Sequence, residues 1–271
     1  MNNGYMYAVS GGIRLFSEVY KSLVSLRKYD KETPVTVVAN HIHKDVKFDG
    51  LAQTIVIEDL WNTKHHYSGK FKALLKTPYE RTIILDSDTY FLQDCTHLFK
   101  LLDYFDFSIA KDYLEPWQEI EGYYPYNTGV MVVKKNPKVW NILEKTYRDM
   151  EIGFPIKAQF GNNDKKEWIQ GDQPVFSKQI ALNDIKIYEL PIYYNFRPSV
   201  PYFLSWSKVK LIHGRGSPEE LENIGKKINE RIFPRIWFNG EVLYGDYLNF
   251  FKKLESGYGR GESRQWIKDG F

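Results

Sequence analysis

Arg81-Thr82-Ile83-Ile84-Leu85-Asp86-Ser87-Asp88-Thr89-Tyr90-Phe91 is the stretch whose reading decides the fold. An apolar run of roughly four to eight residues reads as a strand buried on both faces, and this one delivers two carboxylates at its far end. Open α/β sheets bind ligands just beyond the carboxyl ends of their strands, so Asp86 and Asp88 stand where chemistry is expected. In an extended chain residues i and i+2 share a face about 7 Å apart, whereas hard divalent cations take oxygens at roughly 2.0 to 2.6 Å. The two acids can therefore share an ion only if the chain bends after Asp86. Asp-x-Asp alone also occurs as a solvated strand end. The apolar strand before it and the polar clusters after it favour a metal clamp.

On the N-terminal side, Tyr5-Met6-Tyr7-Ala8-Val9 reads as a first strand, Ser10-Gly11-Gly12 as a turn, and Leu15, Val19, Leu23 and Leu26 recur at helical spacing. Thr33-Pro34-Val35-Thr36-Val37-Val38-Ala39 and Gln53-Thr54-Ile55-Val56-Ile57 are two further β-branched strands. Strand, helix, strand is the signature of a parallel sheet. Gly-x-Gly-x-x-Gly is absent, which argues against a dinucleotide site. Residues 67–75 suit a helix carrying Lys70, Lys72 and Lys76, ended by Pro78; such lysines either reach a phosphate or form the wet face of the helix.

On the C-terminal side, Phe107-Ser108-Ile109-Ala110 is a short strand, and Tyr123-Tyr124-Pro125-Tyr126-Asn127-Thr128-Gly129 an aromatic loop entering the strand Val130-Met131-Val132-Val133. Glycine there lets a ligand approach the backbone. Asn136-Pro137 starts a helix, and residues 153–166 form a polar loop long enough to be a flap. In Gln170-Gly171-Asp172-Gln173-Pro174, Asp172 suits a helix N-cap. Residues 185–190 make another strand, and Val209-Lys210-Leu211-Ile212 the last strand of the core, ending on His213-Gly214-Arg215-Gly216. Of the six histidines only His213 resembles a ligand: His65 and His66 would face opposite ways in a strand, and His41, His43 and His97 lack partners.

With 271 residues, 43% of them hydrophobic and 16% aromatic, the chain has ample core for one large α/β domain or two small ones. A net charge of +3 excludes a generally basic nucleic-acid binder, so anionic substrates must be met locally. The single Cys95 can form no internal disulfide and no secretory leader is evident, which points to the cytoplasm. No apolar stretch approaches the roughly 20 residues of a spanning helix, leaving at most peripheral membrane contact.

Five segments in order carry a resemblance: Leu85-Asp86-Ser87-Asp88, Tyr126-Asn127-Thr128-Gly129-Val130-Met131, Asp172-Gln173, Leu190-Pro191 through Asn195, and Ile212-His213-Gly214. Together they resemble the family 8 glycosyltransferases of the GT-A fold, the group containing glycogenin and bacterial lipopolysaccharide galactosyltransferases. The resemblance implies a Rossmann-like, mostly parallel central sheet flanked by helices, with residues 1–216 as the catalytic domain and 217–271 as an extension packed on it. It implies retaining, metal-dependent transfer from a nucleotide-diphosphate-sugar, most often a UDP-sugar, to a saccharide, glycan or protein acceptor. By similarity Asp86, Asp88 and His213 hold Mn²⁺, with Mg²⁺ the alternative, and Asp86 and Ser87 lie by the donor. Asn127 and Gly129 line the sugar pocket, Asp172 holds sugar hydroxyls, and Gln173 sits close to the anomeric carbon. Lys70 matches a basic donor-binding residue, while Ala8, Val9 and Ser10 cradle the base. Gly214, Arg215 and Gly216 follow the metal-binding histidine, and Arg215 takes the phosphate contact where the family's Lys-Pro-Trp is replaced by Ser217-Pro218-Glu219-Glu220. Val9-Ser10-Gly11-Gly12 likewise departs from the Asp and Asn with which the family reads uracil.

The chemistry agrees: carboxylates with one imidazole suit Mn²⁺ better than Mg²⁺, which prefers all-oxygen, largely hydrated sites. Two other readings compete. A haloacid-dehalogenase-like phosphatase also carries Asp-x-Asp after an apolar strand, though on the first core strand. A nucleotide-sugar-binding module without turnover would keep the pocket. The tail around 232–238 and 247–254 reads as helices packing on the core, with an acceptor platform or a membrane-facing surface as the alternative, and 257–261 as flexible.

Overall fold

A computed structural model describes residues 2–57, 59–60, 67–112, 126–153, 172–199, 202–205, 207–230, 235–238 and 241–244. The expectations for His65 and His66, for 123–125, for the polar loop 154–166, and for 232–234, 247–254 and 257–261 lie outside the described residues.

The first half alternates as its sequence pattern requires: β1 (Asn3–Val9), α1 (Ile13–Arg27), β2 (Val35–Ala39), β3 (Gln53–Val56), α2 (Ser68–Leu74), β4 (Arg81–Leu85) and β5 (Thr89–Phe91). There follow β6 (Phe107–Lys111), β7 (Tyr126–Lys134), α3 (Pro137–Ile152), α4 (Asp172–Ala181), β8 (Ile187–Glu189), β9 (Tyr202–Ser205), β10 (Leu211–His213), α5 (Pro218–Asn229), β11 (Arg235–Phe238) and β12 (Glu241–Tyr244).

Seven strands form the central sheet in the order β3-β2-β1-β4-β7-β6-β8, all parallel except β7, which runs antiparallel to both its neighbours. The sheet is buried on both faces, which is why its central strands read as unbroken apolar runs. Tyr5, Tyr7, Val9, Ile83, Leu85, Val130 and Val132 point to the side covered by Phe16, Val19, Leu23 and Leu26 of α1. Met6, Ile84, Met131 and Val133 point to the other, where α2, α3 and α4 supply Phe71, Ile142, Leu143 and Phe176.

Three expectations are corrected. Residues 126–129 are not loop: β7 already begins at Tyr126, because Tyr126 and Asn127 pair with Lys111 and Ala110 of β6, with Thr128 and Gly129 standing in the register shift at Ile109/Ala110. The strand ending on His213 is not part of the central sheet. β10 pairs antiparallel with β5, His213 opposite Thr89, in a separate two-stranded sheet at the carboxyl edge. Residues 235–238 are strand rather than helix, and β11 lies between β9 and β12 in a third, antiparallel sheet.

Candidate active site

β1, β2 and β4 run parallel in register, Tyr7 opposite Leu85 and Val9 opposite Ala39, so their carboxyl ends share one edge. Beyond β4 the chain does bend: Ser87 and Asp88 form a turn, and Thr89 Oγ1 donates back to the carbonyl of Asp86 at 2.9 Å. The bend directs both carboxylates at His213. Its Nε2 lies 3.4 Å from Asp88 Oδ1 and 3.7 Å from Asp86 Oδ2. One ligand atom from each of the three falls within 4.8 Å of the others. Two carboxylates and an imidazole form a donor set that fits a divalent metal cation.

His213 reaches the acids because Gly129 makes room. A Cβ on residue 129 would sit 2.1 Å from Cε1 and 2.3 Å from Nδ1 of the ring. The space expected for a ligand over Gly129 is thus taken by the imidazole itself. The backbone holds this arrangement: Asp86 N–H donates to the Gly129 carbonyl at 2.9 Å, Gly214 N–H to the Asp88 carbonyl at 2.8 Å, and His213 N–H to the Phe196 carbonyl at 2.7 Å.

On the other side of Asp86 stands Lys70, buried in α2. Its Nζ donates to Asp86 Oδ1 at 2.5 Å and to the Thr128 carbonyl at 2.7 Å, and lies 3.6 Å from Asp172 Oδ2. Burial pushes the ammonium down, but the charges of Asp86 and Asp172 and the Asp86 hydrogen bond lift it above its ordinary value. Asp172 opens α4, and its Oδ2 also accepts from Thr128 Oγ1 at 2.5 Å, so this carboxylate is turned into the site rather than serving only a helix end. Gln173 follows it with Oε1 buried and without a hydrogen-bond partner among the described residues. Burial pushes the Asp88 carboxyl up, yet the hydrogen bond and charge of His213, with smaller contributions from backbone N–H and Arg215, hold it at about 2.

Arg215 is exposed, with Nε 3.3 Å from Glu18 Oε1 and 3.9 Å from Asp88 Oδ2. Ser87 Oγ donates to the other oxygen of Glu18 at 3.2 Å. Gly216 contributes only a carbonyl, 3.4 Å from Lys21 Nζ. Ala8, Val9 and Ser10 end β1 at the same edge, but none makes a side-chain bond to the acids. Asn127 is 1% exposed, and its amide is committed to protein partners, so a sugar would meet it as a wall.

Several residues of the site have no role that the sequence assigns, although Asn195 lies in a segment that carries the resemblance. Glu18 sits on the inward side of α1 among apolar neighbours. Asp112, just past β6, is gripped by Arg197 Nη1 at 3.0 and 2.9 Å, and Asn195 Oδ1 lies 2.9 Å from His213 Nδ1. For Asp112 a clue existed: like Asp86, it is an acid immediately after an apolar strand. His41 and His43 pack instead against Phe16, and His97 against the Tyr194 hydroxyl, clear of the acids.

The family model for nucleotide-diphospho-sugar transferases matches residues 70–215, more than half of the chain and the span that holds all three acids, Lys70 and His213. A second, mannosyltransferase model matches residues 2–109. No curated protein matches the sequence. Among solved structures, mouse xyloside xylosyltransferase 1 in its apo form is similar with a TM-score of 0.53 at 15% identity, over 79% of this chain and 98% of that one. The glycosyltransferase GlyE of Streptococcus pneumoniae TIGR4 gives 0.51 at 16% identity, over 72% of this chain but only 46% of its own. The galactosyltransferase LgtC, solved with donor and acceptor sugar analogues, gives 0.50 at 14%, over 82% and 95%. At such identities the likeness is one of fold, and the fold is GT-A.

Proposed function

The chain belongs to the nucleotide-diphospho-sugar transferase family and is a glycosyltransferase, and on that footing we propose that it transfers a sugar, with retention, from a UDP-sugar to a saccharide, glycan or protein acceptor, with Mn²⁺ held by Asp86, Asp88 and His213. The observation that carries this reading is the convergence of those three side chains from two separate strand ends onto one point at the carboxyl edge of the sheet. When bound, the cation supplies Lewis acidity that offsets negative charge on the departing diphosphate.

The protein groups have separable tasks. Lys70 holds Asp86 in place and keeps a positive charge at the inner end of the site. Arg215, exposed beside Asp88, takes the outer phosphate. Ala8, Val9 and Ser10, with Ser87, border the nucleoside. Asp172 is steered toward the sugar hydroxyls by Lys70 and Thr128, and the unpartnered oxygen of Gln173 faces the positive charge that develops at the anomeric carbon in an oxocarbenium-like transition state. Asn127 walls the sugar pocket, Gly129 makes room for the His213 ring, and Gly214 and Gly216 shape the backbone around Arg215. A cytoplasmic setting belongs to the same proposal, supported by the buried free thiol of Cys95. Among the described residues no helix is long and apolar enough to cross a membrane.

Asp88→Asn and His213→Ala should each lower Mn²⁺ affinity by more than the about 10- to 100-fold that substitutions around a metal site typically cost, and abolish donor hydrolysis. Asp172→Ala should lose turnover while keeping nucleotide affinity. Calorimetric titration with Mn²⁺ and UDP, beside release of UDP from UDP-sugars, checks all three. Unchanged metal affinity and rate in Asp88→Asn would overturn the site.

A further inference from the structure

A chain of hydrogen bonds leads away from the metal ligand set into the protein, and its direction can be worked out atom by atom. The Gly129 peptide N–H can only donate, and it meets Asn127 Oδ1 at 3.0 Å. Asn127 Nδ2 meets Asp112 Oδ2, an acceptor, at 3.2 Å. Both ends of the Asn127 amide are thereby fixed. The atom of Asn195 that lies 2.8 Å from Asn127 Oδ1 must then be the donor Nδ2. That leaves Asn195 Oδ1 facing His213 Nδ1 at 2.9 Å. An amide oxygen accepts only, so the ring must present N–H there. In a neutral imidazole the lone pair is then on Nε2, the atom turned to Asp86 and Asp88.

We propose that Asn195 is a positioning residue that fixes the His213 proton on Nδ1, and that Asn127, Asp112 and Arg197 hold Asn195 in the only orientation that does so. The relay is rigid: Asp112, Asn127 and Asn195 are 2%, 1% and 3% exposed, and Arg197 clamps both oxygens of Asp112. Backbone pairing of Phe196 with Ile212 keeps Asn195 alongside His213. Partners that donate or accept to the far nitrogen of a ligating histidine choose its tautomer and aim its ring. The assignment of Asn195 deepens the metal reading above and rests on it for its purpose, though not for its geometry.

Long-range ¹H–¹⁵N spectra of the metal-free protein, at a pH where the ¹⁵N shifts show a neutral ring, read the tautomer directly, the His213 signal being identified by its loss in His213→Ala. Wild type should carry the proton on Nδ1. Asn195→Ala should move it partly or wholly to Nε2 and weaken binding of Mn²⁺ alone by about 10- to 100-fold. A neutral wild-type ring with its proton on Nε2 instead of Nδ1, or an Asn195→Ala protein with tautomer and Mn²⁺ affinity both unchanged, overturns the proposal. If Asn195→Ala does not fold, the wild-type spectrum alone decides. A wild-type protein that shows Nδ1–H yet binds no Mn²⁺ would refute the metal reading and leave the relay standing.

Discussion

At residue 129 the decisive property is the lack of a side chain, because the ring of His213 occupies the place where a Cβ would be. Gly129→Ala must therefore push the imidazole away from Asp86 and Asp88 or bend β7. Overpacking of this kind typically costs about 1–3 kcal/mol, and the displaced ring should lower Mn²⁺ affinity by at least about 10-fold. Denaturant unfolding and Mn²⁺ titration of the same preparation separate the two effects, and an unaltered metal affinity would show that His213 does not ligate. The acids and this histidine were legible because their residue types announce chemistry and the strands before them announce position. Asn195, Asp112, Arg197 and Thr128 were not. Their partners lie far away in the chain, Asn195 to Asn127 spanning 68 positions and Arg197 to Asp112 spanning 85, and no local pattern records which polar residue a fold will bring opposite another.

Among the elements, α3 shows how local chemistry sets a boundary. Asn136 Oδ1 accepts from Val139 N–H at 2.9 Å, Pro137 takes the first turn, and Gly153 closes the helix with φ of 72°. The Asn136 amide also donates to Asp106 Oδ1 at 2.8 Å. Asn136→Ala should cost about 1 kcal/mol from the cap alone, visible as a lower denaturation midpoint with Mn²⁺ binding unchanged. Such caps, and the apolar runs of β1, β2 and β4, made most of the central layer readable in advance. β7 reads too short from its sequence because Asn127 and Gly129 are not typical strand residues, and it is the pairing of Tyr126 and Asn127 with β6, with the bond from Asp86 N–H to the Gly129 carbonyl, that extends it. β10 was placed in the wrong sheet for a related reason: an apolar tetrapeptide states that it is buried, but not beside which strand. At β11, aromatic and basic residues are mixed without a clean period of two or 3.6, so neither element was marked.

On the scale of the whole molecule, a sheet buried on both sides carries the fold, and the chemistry sits along one edge, built from α1, α2, the turn after β4, β7, α4 and the end of β10. That spread lets a near-neutral chain present positive charge locally: Lys70 and Arg215, which we propose serve the donor, are delivered one by one rather than through a general field. The third sheet adds a practical limit. β9 precedes Gly216 and β11 follows it, yet the two are hydrogen-bonded neighbours, with Trp237 opposite Phe203. A shortened protein ending at Gly216 would strip β9 of that neighbour and leave raw strand edges, which recruit other chains. Such a truncation should aggregate while the full chain stays monodisperse, as light scattering would record. The two portions are best handled by the experimenter as one inseparable piece.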